Sequence, residues 1–115
     1  MNPATKKQEE TGIRKSLKSY LLAMGFLVET NFQGLGAVRG RPDLNASRDG
    51  KTLWIEVKTP RKTSKQFEHQ SIYQSKVEAV GGIYLVIRSL EEMEQMLIQH
   101  GFKLKGQIKM FYSNV

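Results

Sequence analysis

The sequence predicts a single α/β domain, one mixed β-sheet flanked by helices. Three observations predict it. Apolar residues recur at helical spacing before Gly25 and again after Ser64 and Ser89. Short apolar or alternating runs of strand length lie between those stretches. Asp49-Gly50 separates two alternating runs, and this dipeptide suits the positive φ angles of a two-residue hairpin turn. At 115 residues, 39% hydrophobic and 25% charged, the chain has ordinary globular composition and enough length for one core. Residues 1–115 are therefore read as one domain.

The elements follow in order. From about Lys6 to Met24, residues Ile13, Leu17, Tyr20, Leu21 and Met24 form one helical stripe; Gly12 weakens it locally and Gly25 stops it. Phe26 to Phe32 has strand character, and Gln33 to Arg41 is a glycine-rich loop. The hairpin runs from Asp43 to Lys58 and Pro60 ends it. Ser64 caps a helix reaching about Val80, closed by Gly81-Gly82, with Gln70, Tyr73, Val77 and Val80 on its inward stripe. Ile83 to Ile87 is an apolar run expected as a buried central strand. Ser89-Leu90-Glu91-Glu92 is a capping box that opens a helix ending at Gly101. Leu104, Ile108, Met110 and Tyr112 alternate in a last strand, at the sheet edge. The expected order is α-β-β-β-α-β-α-β.

Chemistry concentrates on the hairpin. If Asp49-Gly50 is the turn, cross-strand partners have numbers summing to 99, and Glu56 sits opposite Asp43. Lys58 is two residues beyond Glu56 and shares its face. The opposite face collects Leu44, Ala46, Leu53, Ile55 and Val57, which is core. Like charges directly opposed are destabilising, so a cation is expected between the two carboxylates. Mg²⁺ or Mn²⁺ suits such hard oxygen ligands. It would offset phosphoryl charge and lower the pKa of a bound water. Lys58 would position that water or stabilise the pentavalent phosphorus. Taken alone, a D…ExK spacing is common on exposed strands, and its weight comes from the register and the surroundings. Gln70 is an amide on an apolar stripe, which needs partners or costs about 1–3 kcal/mol. It is a candidate for orienting Lys58 or the water. His69 and His100 are not at ligand spacing and are read as surface histidines, with a place near substrate as the alternative for His69.

Charge points to the partner. Eighteen Lys and Arg against eleven Asp and Glu give a net charge of +7, which favours a polyanion, nucleic acid before membrane. Arg39 and Arg41 precede Asp43, while Arg61, Lys62 and Lys65 follow Lys58, so basic clusters flank the carboxylates and suit phosphate contacts. There are no cysteines, which excludes disulfides and thiolate metal sites and fits a reducing compartment. No apolar run is long enough for a signal peptide or a bilayer span, so a soluble cytoplasmic protein is expected.

These residues together resemble the PD-(D/E)XK nuclease superfamily, and within it the small standalone phage and bacterial type of the VRR-NUC family. The resemblance rests on Gly40-x-Pro42-Asp43-Leu44, on Glu56-Val57-Lys58-Thr59-Pro60, and on Gln70 before Gly81; it runs from the first helix to about Gly101. It implies the restriction-endonuclease-like core fold. Asp43 and Glu56 would be metal ligands, the Val57 carbonyl a further ligand, Lys58 the catalytic lysine and Gln70 the active-site glutamine. One or two metal ions would be held. One departure stands out: where such nucleases carry a glutamate on the first helix, Gly12 or Arg14 stands here. Glu10 is the best substitute and Glu9 the next. The function implied is a metal-dependent, structure-selective DNA endonuclease resembling a Holliday-junction resolvase, acting as a homodimer in replication or repair, in a bacterial cell or phage-infected host. The alternatives are a flap or single-strand nuclease, or a non-catalytic nucleic-acid-binding module.

Overall fold

A computed structural model describes residues 3–31, 40–58 and 64–104, with side chains for 12–31, 40–58 and 68–104. Helix α1 (Pro3–Ala23) leads to strand β1 (Leu27–Thr30), then β2 (Leu44–Arg48) and β3 (Lys51–Val57). Helix α2 (Ser64–Ala79), strand β4 (Ile83–Ile87) and helix α3 (Leu90–Gln99) complete the series. The strands form one four-stranded sheet in the order β1-β2-β3-β4. The pairs β1·β2 and β2·β3 are antiparallel, and β3·β4 is parallel, with α2 as the crossover that a parallel pair requires.

The hairpin forms as the turn chemistry predicts. Asp49 and Gly50 both have positive φ, 53° and 79°. The register pairs Arg48 with Lys51 and Leu44 with Ile55, all summing to 99. Side chains therefore alternate between two faces. On one face Leu44, Ala46, Leu53, Ile55, Val57, Leu85 and Ile87 pack with Leu17, Tyr20, Leu21 and Met24 of α1 and Leu90, Met93 and Leu97 of α3. On the other, Trp54 and Tyr84 meet α2: the Tyr73 and Tyr84 rings lie 6.3 Å apart, and Gly82 packs under Val77 and Trp54. The result is a mixed α/β fold with α1 and α3 on one face of the sheet and α2 on the other.

Several expectations are adjusted. Helix α1 starts at Pro3, where the missing N–H of a proline costs nothing in the first turn. Strand β1 is shorter than Phe26 to Phe32: Phe26 is buried just after the helix stop, and Asn31 leaves the strand. β4 is the last strand of the sheet among the described residues, and its apolar run reflects helices on both faces. Val80 lies past the end of α2 and is 86% exposed, so it leaves the inward stripe, while Val77 stays buried. Ser89 caps α3, its side chain accepting the Glu92 N–H. Lys103 and Leu104 are not strand, and the rest of the expected last strand lies outside the described residues. Among the described residues no helix is long and apolar enough to cross a membrane.

Candidate active site at the open end of the hairpin

The sequence-predicted residues gather where β2 begins and β3 ends. In the observed register, pairs that exchange two backbone hydrogen bonds alternate with pairs that exchange none. Counting from the turn, Arg48–Lys51 and Leu44–Ile55 exchange bonds, and Pro42–Val57 would be the next such pair. Pro42 has no N–H to give the Val57 carbonyl. Its own carbonyl accepts the Asn31 side-chain amide at 3.0 Å. The Val57 N–H is taken by the Asp43 carboxylate, N to Oδ2 2.7 Å. A proline at this place thus ends the ladder, fixes one oxygen of Asp43, and leaves the Val57 carbonyl without a ladder donor from residue 42.

Asp43 stands one position before β2, in line with the register that opposes it to Glu56. Its remaining oxygen, Oδ1, faces the Arg14 guanidinium of α1 at 3.6 Å. Glu56 is 8% exposed, with Ile55 and Val57 buried in the core on either side of it. Lys58 continues the extended chain, donating its N–H to the Ile87 carbonyl at 2.9 Å. By strand alternation it shares the face of Glu56.

The segment before Asp43 is clamped between α2 and β4. Gly40 has φ +81°, and a Cβ there would lie 2.0 Å from the His69 carbonyl oxygen. Only glycine permits this approach. The Tyr84 hydroxyl donates to the Gly40 carbonyl at 3.3 Å. Burial pushes the Tyr84 phenol well above its usual pKa, and the negative charges of Glu56 and Asp43, then Tyr73, push it further. The hydroxyl therefore remains a donor, and both carboxylates act on the same side chain.

Asn31 is the second support. Its N–H donates to the Asp43 carbonyl at 2.9 Å, its amide reaches Pro42 and Asn45, and its side-chain oxygen accepts from Arg41 at 3.0 Å. Neither Asn31 nor Tyr84 was singled out by motif. Their signals were a lone amide at a strand end and a phenol inside an apolar run.

The remaining expected residues divide. Gln70 is 8% exposed, and its amide donates to Gln74 Oε1 at 2.8 Å, one turn along α2, a satisfaction not foreseen. Arg41 is exposed at the rim. Glu10 and Glu9 lie on α1, with side chains outside the described set, as is that of Lys65 on α2; Arg39, Arg61 and Lys62 lie outside the described residues altogether. His69 is half-buried, and its Nε2 is shielded from solvent without a hydrogen-bond partner. His100 caps α3, and its carbonyl accepts from Lys51.

Among the described residues no group of three or more His, Asp or Glu side chains converges on a metal position. Asp43, Glu56 and the Val57 carbonyl are hard oxygen donors of the kind Mg²⁺ or Mn²⁺ takes, ions that keep several waters and need few protein ligands. No protein-family model, curated protein or solved structure matches the chain.

Proposed function

We propose that this protein is a Mg²⁺- or Mn²⁺-dependent DNA endonuclease with a PD-(D/E)XK core of the VRR-NUC type. The observation that carries the reading is the end of the hairpin: Asp43 locked to Val57 N–H, in line with Glu56, with Lys58 two residues on. The order α-β-β-β-α-β and the mixed sheet support the same core. Asp43, Glu56 and the Val57 carbonyl would hold the ion. When bound, it supplies Lewis acidity that offsets phosphoryl charge and makes water more acidic.

The chain's own groups do the rest. Lys58 brings an ammonium to the phosphoryl group, to orient the attacking water or hold developing charge on oxygen. The water oxygen forms a bond to phosphorus, one bridging P–O bond breaks, and the leaving oxygen takes a proton. Gln70 lies at the neighbouring helix turn, where its amide carbonyl can accept from Lys58 or from water. Arg41, with Arg39, Arg61, Lys62 and Lys65, contributes positive charge for the DNA backbone on either side.

A homodimer acting on branched DNA is part of the proposal, because two cuts in a four-way junction require sites related by near two-fold symmetry. The test compares nicking of a synthetic four-way junction, a flap and a linear duplex with Mg²⁺, Mn²⁺ or EDTA. Cation-dependent paired nicks on the junction are expected. Binding to all three without cleavage under any cation would replace the enzyme with a binding module.

A further inference from the structure

Arg14 makes the one ion pair that reaches Asp43 among the contacts described, and its geometry is specific. The two oxygens of Asp43 are not equivalent: Oδ2 is fixed by the Val57 N–H at 2.7 Å, while Oδ1 faces Arg14 Nη1 at 3.6 Å. That separation is longer than the about 2.7–2.9 Å of a charge-assisted hydrogen bond. The pair is therefore mainly Coulombic, and a stronger cation can displace it. The Arg14 side chain is 34% exposed and that of Asp43 15%. The guanidinium thus stands at the solvent rim, while Leu17, Tyr20 and Leu21 anchor its helix in the core.

We propose that Arg14 is an exchangeable cation of the site. It compensates Asp43 while no metal ion is present, yields Oδ1 to the divalent ion, and then binds a non-bridging phosphoryl oxygen of the DNA. This rests on the nuclease reading above. A guanidinium displaced by a dication is repelled from it. The incoming phosphate, whose oxygens match the planar donor fork, is then available to it as a partner. The anchored helix keeps the group at the rim where the DNA arrives.

The experiment uses the full chain with Arg14→Gln and Arg14→Lys. Calorimetric titration with Mn²⁺ alone should show severalfold tighter binding for Arg14→Gln and near wild-type binding for Arg14→Lys. In a Lys58→Ala background, so that cleavage does not consume the probe, anisotropy of a labelled four-way junction reads the second step. Arg14→Gln should weaken binding about tenfold with Mn²⁺, the loss of one charge-assisted bond. Without Mn²⁺ any loss should be clearly smaller, because the phosphate contact is not yet made. A purely structural tether would lower thermal stability and leave both quantities unmoved, which overturns the proposal. Mn²⁺ binding by wild type with equal or weaker binding by Arg14→Gln overturns it alone. A wild-type protein that takes up no Mn²⁺ overturns it together with the nuclease reading.

Discussion

The carboxylate of Asp43 replaces a backbone partner for Val57, accepting its N–H at 2.7 Å just beyond the last ladder pair, Leu44 and Ile55. One side chain thus both closes the strand end and presents charge. Asp43→Ala leaves that N–H without this acceptor and should destabilise the fold by about 1–3 kcal/mol. Asp43→Asn keeps an acceptor oxygen and should stay nearer wild type, although both variants lose cleavage. Urea unfolding separates them; equal stability would mean the bond does not hold the strand end.

Two glycines should respond in opposite directions to alanine. At Gly40, a Cβ would meet the His69 carbonyl at 2.0 Å, with the backbone at φ +81°. Gly40→Ala should therefore displace the segment before Asp43, lower stability and abolish cleavage. Gly12 lies within α1 with open space around it. Gly12→Ala should stabilise by up to about 1 kcal/mol through helix propensity. Chemical denaturation of the two single variants checks both signs.

Two buried phenols should make the fold alkali-sensitive. Burial, then Glu94, pushes Tyr20 from 10.0 up to about 12. Burial, then Glu56, Asp43 and Tyr73, pushes Tyr84 well above 10.0. Above pH 10 the unfolded chain loses these protons while the folded one retains them, so stability falls with rising pH. The contribution is fully present below pH 10 and shrinks as pH rises through 12. Unfolding free energies measured from pH 9 to 12 should show this decline, and Tyr84→Phe should flatten it. An unchanged slope in that variant would place the Tyr84 hydroxyl in solvent.

Local chemistry was legible in the chain, while long-range pairing was not. Asp49-Gly50 determined the register and with it the core face, because a two-residue turn leaves no freedom for slippage. Ser89 and the helix-stop glycines announced their elements for equally local reasons. Arg14 and Asp43 are 29 residues apart, and Asn31 is 14 from Asn45; nothing local in either sequence context encodes the meeting. Tyr84 was hidden because a strand covered on both faces has no alternation from which to tell its sides apart. Val80 followed helical spacing beyond the point where Gly81 and Gly82 turn the chain.

Glu56→Ala and Lys58→Ala should each abolish cleavage for different reasons. Glu56→Ala removes a proposed ligand and should weaken Mn²⁺ binding while leaving DNA binding intact or tighter, since a carboxylate repels phosphate. Lys58→Ala should leave Mn²⁺ binding in place. Gel assays of nicking alongside calorimetry distinguish the two, and appreciable nicking by either purified variant would contradict the proposed roles.

The central claim is that the hairpin's two carboxylates hold one catalytic cation, and anomalous diffraction from a crystal soaked in Mn²⁺ tests it most directly. The account predicts a peak at about 2.1–2.2 Å from oxygens of Asp43 and Glu56 and from the Val57 carbonyl. Arg14 should then be turned away from Asp43 Oδ1. A well-ordered site with no peak, or Asp43 and Glu56 carboxylates directed to opposite faces of the sheet, would contradict it.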